Sequence, residues 1–129
     1  MTTVQRVAQI FGIVFILVGI LGFVNGSATM EAGLMLGLFP VNALHNLVHI
    51  LFGVWGLVAA RTFASAKTYG QVGGAIYLLL ALLGFVTPNL GGLVPLGGND
   101  IWLHALLGIV LLAVGVTARE VPAGTTRAA

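Results

Sequence analysis

Four long apolar stretches follow one another along the chain, separated by short segments rich in glycine, proline and polar residues. They cover residues 7–24, 41–60, 69–86 and 101–118. Each is about 18–20 residues long, which an α-helix needs to cross the hydrocarbon core of a bilayer. The pattern predicts an all-α, polytopic membrane protein with one domain, residues 1–129, that consists of four transmembrane helices and a flexible tail at residues 120–129.

The first apolar stretch has a second interpretation as a signal peptide, because Gly26, Ser27 and Ala28 resemble a small-residue cleavage site. Two observations favour a membrane span. The run is long for the apolar region of a signal peptide, and its later sequence reappears in the third stretch. We therefore expect it to form the first helix of the domain.

Capping residues indicate where two of the helices begin. Asn42, with Pro40 just ahead of it, is typical of a helix N-cap and predicts the start of the second span. Asn99 or Asp100 is expected to cap the fourth span in the same way.

The segments between the spans are predicted to be non-helical. Residues 25–38 are expected to form a loop, and its apolar second half, residues 32–38, is expected to lie in the membrane interface or to dip back over the bundle. Residues 62–68 are expected to be a short polar link, and residues 89–99 hold too many glycines and prolines for a helix.

The two halves of the chain resemble one another. The sequence LGFV at residues 21–24 returns at residues 83–86, Leu-His recurs at 44–45 and 103–104, and both halves close on Ala-Arg. Two hairpins of the same orientation make a parallel repeat about an axis along the membrane normal. We therefore expect a compact four-helix bundle made of two equivalent hairpins.

Composition agrees with a membrane protein and narrows its chemistry. Charged residues make up 6% of the chain and hydrophobic residues 59%, with a mean hydropathy of +1.12, whereas soluble domains are about 25% charged. The few basic residues are scattered singly, so no stripe exists that could follow a nucleic acid. There is no cysteine, which excludes disulfides, thiolate metal sites, iron–sulfur clusters and covalently attached haem.

The placement of the basic residues predicts the orientation. With four spans, all five lie on the same side of the membrane: Arg6, Arg61, Lys67, Arg119 and Arg127. The opposite loops carry Glu31 and Asp100 and no Lys or Arg. By the positive-inside rule, the protein is expected in the cytoplasmic (inner) membrane with both termini in the cytoplasm.

Many of the 19 glycines fall at helical spacing. Small residues let helix backbones approach closely in lipid, so we expect them to pack helices together. An alternative is that Gly53 and Gly108 make room for a flat cofactor below the histidines. Besides the lipid bilayer, the expected partners are further copies of the chain in a homo-oligomer, or a larger membrane complex.

The chain's three histidines are predicted to converge. His45 and His49 are four residues apart on one helix face, and His104 and Asp100 share a face in the same way. Both helices begin at the outer surface, so the imidazoles should meet in the outer half of the membrane. Ionisable residues in membrane spans are rare and mark functional sites.

Four interpretations of these histidines remain open. They could bind a metal such as Zn or Cu, with Asp100 or water completing the three nitrogens. They could hold b-type haem, with His104 paired to His45 or His49. They could serve proton or quinone chemistry, or be interhelical hydrogen-bonding groups only. We rank the metal first among the functional interpretations.

No hydrolase, kinase or zinc-protease motif is present. The sequence HNLVH at residues 45–49 has Asn46 where the HExxH motif needs its glutamate. We therefore expect a small non-enzymatic membrane protein whose histidine-lined site binds a metal ion or b-type haem. The alternative is an accessory or structural subunit that packs through its glycine faces.

One string of residues carries a family resemblance. FPVNALHNLVH at residues 39–49, with the later GGND and Leu103-His104, resembles an uncharacterised bacterial four-helix integral membrane family, a domain of unknown function. The likeness runs from about the first span to Arg119. It implies a four-span membrane fold and carries no activity.

Overall fold

The computed structural model describes residues 1–121 and consists of four helices with a small hairpin at one end. The elements follow in the order α1 (Thr3–Leu21), a π-helical turn (Gly22–Gly26), β1 (Gly33–Met35), β2 (Phe39–Val41), α2 (Ala43–Ala59), α3 (Phe63–Val86), a 3₁₀ turn (Leu90–Gly92) and α4 (Asn99–Thr117). The all-α architecture is therefore confirmed. Most of the tail that is predicted to be flexible, residues 122–129, lies outside the described residues.

Within residues 1–121, three helical segments are long and apolar enough to cross a membrane: Thr3–Gly26, Phe63–Val86 and Asn99–Thr117. α2 has 17 residues, the lower end of the length that spans a bilayer. The outward faces of all four helices are apolar, with Leu17, Leu51, Leu79 and Leu106 each more than half exposed. Such faces need lipid around them, so the protein is a helical membrane protein.

The helices pair as two antiparallel hairpins, α1 with α2 and α3 with α4. Glycines allow the helices of both hairpins to pack closely. A Cβ atom on Gly12 would lie 2.8 Å from the Gly53 carbonyl oxygen, and one on Gly108 would lie 3.0 Å from the Gly74 carbonyl oxygen. Gly53 and Gly108 thus bring backbones together, as expected, and do not open space for a flat cofactor.

Two predicted helix starts are wrong. α3 begins at Phe63 and not at Tyr69, because the Thr62 side chain caps it by accepting from Ser65 N–H at 3.2 Å. The supposed polar link at residues 62–68 is therefore mostly helical, and residues 60–62 suffice for the turn. α4 is capped by Gly98, so neither Asn99 nor Asp100 is the N-cap.

The segment 25–38 is more ordered than a loop. It contains β1 and leads through a turn at Leu36 and Gly37, both with positive φ, into the antiparallel partner β2. Asn25 Oδ1 in the π-helical turn accepts from Leu36 N–H at 2.7 Å and holds the turn against the end of α1. The second connection, residues 89–99, is irregular as predicted, apart from the single 3₁₀ turn.

Candidate metal site

The three histidines meet in the centre of the bundle. His45 and His49 lie on α2 and His104 lies on α4, and each is at most 8% exposed. One ligand atom from each histidine lies within 4.8 Å of the other two. We call these three residues the histidine cluster. The prediction that they converge is confirmed.

The rings of the histidine cluster are in mutual contact without being parallel. The ring centroids are 4.5 Å apart for His45 and His49, 5.8 Å for His45 and His104, and 6.4 Å for His49 and His104. A tetrahedral zinc ion with bonds of about 2.0–2.1 Å holds its nitrogen ligands about 3.4 Å apart. The ligand atoms of the three histidines, which lie within 4.8 Å of one another, would therefore have to move closer by up to about 1.4 Å to bind one zinc ion.

Every member of the cluster has an unsatisfied nitrogen. The Nδ1 atoms of His45, His49 and His104 are buried and have no hydrogen-bond partner among the described residues. Buried polar atoms are normally paired, and each exception calls for an explanation such as an ion or water that binds there. Three such atoms in one place indicate a site for a ligand.

Asp100 lies beside the cluster, in the first turn of α4. Its Oδ2 atom is 3.9 Å from His45 Nδ1, and both side chains are buried. It does not belong to the set of ligand atoms within 4.8 Å of one another. A carboxylate next to a metal-binding histidine usually orients the imidazole from behind. Asp100 as a direct ligand stays a prediction.

Asn42 fixes the start of α2 and hence the position of His45. Its Oδ1 accepts from His45 N–H at 2.9 Å, so it is the predicted N-cap. Its amide nitrogen donates to the carbonyl oxygens of Leu93, at 2.9 Å, and Met30, at 3.2 Å. One buried side chain therefore ties both connections to the helix that carries two of the histidines.

Asn46 holds the same helix against α1. It is fully buried, and its Nδ2 donates to the Ser27 carbonyl oxygen at 2.8 Å. Its amide packs directly on Gly22, where any side chain would collide with it. This contact explains why a glycine stands at the start of the π-helical turn.

Two aromatic rings form a wall of the site that our sequence reasoning missed. Phe15 on α1 and Tyr77 on α3 stack on each other with centroids 5.1 Å apart. Phe15 also lies 5.8 Å from His49, and Tyr77 lies 5.3 Å from His104. The signal was available: the offset of 62 residues that aligns LGFV with LGFV also aligns Phe15 with Tyr77.

Two cavities reach the histidine cluster from opposite sides. One, of about 210 Å³, lies between α1 and α4; the other, of about 180 Å³, lies between α2 and α3. Both are bordered by His49 and His104, and their remaining walls are almost wholly apolar. The site is thus approached through the sides of the bundle.

These features define a class: a helical membrane protein with a buried three-histidine cluster at the centre of its bundle. The chain belongs to the family of the domain of unknown function DUF4383, whose model matches residues 5–117. The predicted membership of an uncharacterised family is thereby confirmed. No curated protein and no solved structure matches the chain.

Proposed function

We propose that the protein binds one transition-metal ion, Zn²⁺ or a copper ion, through His45, His49 and His104. The observation that carries the proposal is the set of three buried imidazoles with unsatisfied Nδ1 atoms and ligand atoms within 4.8 Å of one another. Imidazole nitrogen suits both metals. The fourth position is left for water, Asp100 or an incoming ligand.

A b-type haem is supported less well. Two axial histidines on opposite faces of a porphyrin would leave the third imidazole unused, and a single axial histidine would leave two unused. The Phe15–Tyr77 stack fills the space between the two cavities. Neither cavity, at about 210 and 180 Å³, approaches the roughly 300–1,000 Å³ of pockets for drug-sized ligands.

Our proposal is a binding function without catalysis, in the cytoplasmic membrane. The basic residues Arg6, Arg61, Lys67 and Arg119 flank the helix ends opposite the hairpin. By the positive-inside rule this end faces the cytoplasm, and the histidine cluster then lies in the outer half of the membrane.

The test is metal analysis of the purified full chain. We expect about one Zn or Cu per chain after loading and dialysis, and His49→Gln and His104→Gln should each weaken binding at least tenfold. Tyr77→Phe is the matched control, because it alters a buried ring against His104 without removing a metal ligand, and it should bind as the unaltered protein does.

Two results would overturn the proposal. A haem Soret band in protein that retains no metal would replace the ion by a porphyrin. Absence of metal and haem together, with normal folding of His49→Gln, would reduce the cluster to interhelical hydrogen-bonding groups.

A further inference from the structure

The larger of the two cavities that reach the histidine cluster lies between α1 and α4. α1 packs mainly on α2, and α4 packs mainly on α3, so the faces of α1 and α4 are only loosely joined. The cavity of about 210 Å³ lies between them. Its outer border includes Ile10 and Val14, which are 57% and 46% exposed on the lipid side, so the cavity is open to molecules dissolved in the bilayer.

The inner end of this α1–α4 cleft is polar. His49, His104 and Asp100 border it, and each is at least nine-tenths buried. The Nδ1 atoms of both histidines and Oδ2 of Asp100 have no hydrogen-bond partner among the described residues. The other residues that border the cavity are apolar, so a ligand's polar groups would bind at these three side chains, after side-chain rotations that uncover the three enclosed atoms.

Aromatic rings line the middle of the cleft. Phe11 and Phe15 come from α1, and Phe39 comes from the hairpin that covers the top. Aromatic rings pack favourably on other aromatic rings in offset or edge-to-face arrangements. The lining therefore favours a ligand whose head is an aromatic ring.

We propose that the α1–α4 cleft binds a membrane-dissolved quinol, an aromatic ring that carries hydroxyl groups and an apolar tail. The hydroxyl groups hydrogen-bond to Asp100 and the imidazoles, the ring packs among the phenylalanines, and the tail leaves past Val14 into lipid. An apolar cavity with a few convergent polar groups is the usual form of a small-molecule site, and the cavity of about 210 Å³ has to hold only the ring, because the tail lies in the lipid. This inference does not depend on the metal.

The internal repeat places a related cleft on the other side, between α2 and α3. Tyr77, Leu80 and His45 border it, and they correspond to Phe15, Val18 and His104 in the first cleft. Asp100 borders only the α1–α4 cleft, and three phenylalanines line that side alone. These differences assign the quinol to the α1–α4 cleft.

The test is a binding titration of the purified full chain, stripped of metal and kept anaerobic, with decyl hydroquinone. Val14→Trp should fill the cleft and weaken binding at least tenfold. Ile13→Trp is the matched control: the neighbouring side chain is equally exposed, at 46%, and borders neither of the two cavities that reach the histidines. It should change the affinity less than twofold.

A second variant and a second ligand complete the design. Ile10→Trp blocks the same opening from another position and should also weaken binding at least tenfold. Decylbenzene, which has the ring and tail without hydroxyl groups, should bind at least tenfold more weakly than the quinol. Equal affinities for the two ligands would overturn the proposal, because the cleft would then bind hydrocarbon chains and not hydroxyl groups. Equal binding by the blocked and control variants, or the absence of saturable binding, would also overturn it. Metal content is measured separately, so failure here leaves the metal site untouched.

Discussion

His49 is the residue at which the two halves of the chain differ most in chemistry. His45 and His104 occupy equivalent positions of the repeat, whereas the counterpart of His49 is Gly108. A Cβ atom at Gly108 would lie 2.8 Å from the backbone nitrogen of Leu78. Because α3 and α4 approach so closely there, no fourth histidine fits, and the cluster has three members instead of four.

Asp100 is predicted to support metal binding through its position beside His45. If its carboxylate moves close enough to accept from His45 Nδ1–H, so that His45 binds the metal through Nε2, Asp100→Asn should weaken metal binding by about 10- to 100-fold, as is typical of such supporting residues. Asn99→Ala is the control, since Asn99 is exposed and its side chain donates only to Leu38 and accepts from Trp102. Competition titrations with a chelator measure both. An unchanged affinity in Asp100→Asn would contradict the orienting role, and a far larger loss would make Asp100 a direct ligand.

The histidine cluster could be predicted from the sequence because helical spacing and the alternation of spans fix where a residue lies along and around a helix. The Phe15–Tyr77 stack could be inferred only by extending the repeat to residues with different side chains. The hydrogen bonds of Asn42 to Leu93 and Met30 could not be predicted at all. They join segments far apart in the chain, and no periodic pattern encodes such contacts.

At the scale of elements, the hairpin and the second connection act as covers for the histidine end of the bundle, and Asn42 joins them. Asn42→Asp keeps the oxygen that caps α2 but removes the two donated hydrogen bonds. Asn42→Ala removes both functions. We expect Asn42→Ala to lower the free energy of unfolding by about 2–3 kcal/mol, since caps and neutral hydrogen bonds each contribute about 1 kcal/mol. Asn42→Asp should lower it at least as much, because its second carboxylate oxygen would be buried against the carbonyl oxygens of Leu93 and Met30.

Denaturant titrations of the two Asn42 variants in detergent measure these free energies. Asn89→Ala, an exposed change in the second connection, serves as the control. Equal stability of Asn42→Ala and the unaltered protein would show that the covers are held by other contacts.

The helix contacts make a second prediction at this scale. A Cβ atom on Gly53 would lie 2.6 Å from the Gly12 carbonyl oxygen, so Gly53→Ala must push α1 and α2 apart. Overpacking of this kind costs about 1–3 kcal/mol. Val54→Ile adds one carbon to the next residue, on the lipid side, and should leave the free energy of unfolding unchanged. Thermal unfolding of both variants checks the prediction, and equal melting temperatures would contradict it.

The helical glycines also bear on assembly. An added Cβ at each glycine within the four helices would meet another part of the same chain. Among the glycines of residues 1–121, open space occurs only at Gly37, Gly91, Gly92 and Gly98 in the connections. The glycine faces are therefore occupied within the monomer. Self-association or docking to a larger complex stays a prediction, and it would have to use the apolar outward faces instead.

Hydrophobicity along the chain does not predict where α3 begins. The first turns of α3 are polar, with Ser65, Lys67 and Thr68, and hydropathy alone assigned them to a link. The chain is helical there because Thr62 caps it and Lys67 reaches across to donate to the Ala118 carbonyl oxygen at 2.9 Å. Such polar turns extend a helix beyond the apolar core of the bilayer without changing its hydrophobic span.

At the scale of the whole molecule, the repeat accounts for the arrangement of the site. The two hairpins contribute His45 and His104, whose ring centroids lie 5.8 Å apart, and Phe15 and Tyr77, which stack, and a cleft lies on either side. His49, Asp100 and the hairpin cover then break the equivalence. Two similar hairpins with different side chains at the histidine cluster therefore leave two unequal clefts that reach it.

The orientation of the protein in the membrane, predicted from the charge pattern, determines in which half of the membrane the histidine cluster lies. The chain has no cysteine, so single cysteines report their side of the membrane without background. Ala32→Cys, beside the hairpin, should react with a membrane-impermeant maleimide in intact cells, because the end with few charges faces outward. Ala64→Cys, in the first turn of α3 at the basic end, should react only after the cells are made permeable. Both positions are exposed alanines, so a difference in labelling could not arise from burial. The reverse labelling pattern would place the histidine cluster in the inner half of the membrane and contradict the assignment of both termini to the cytoplasm.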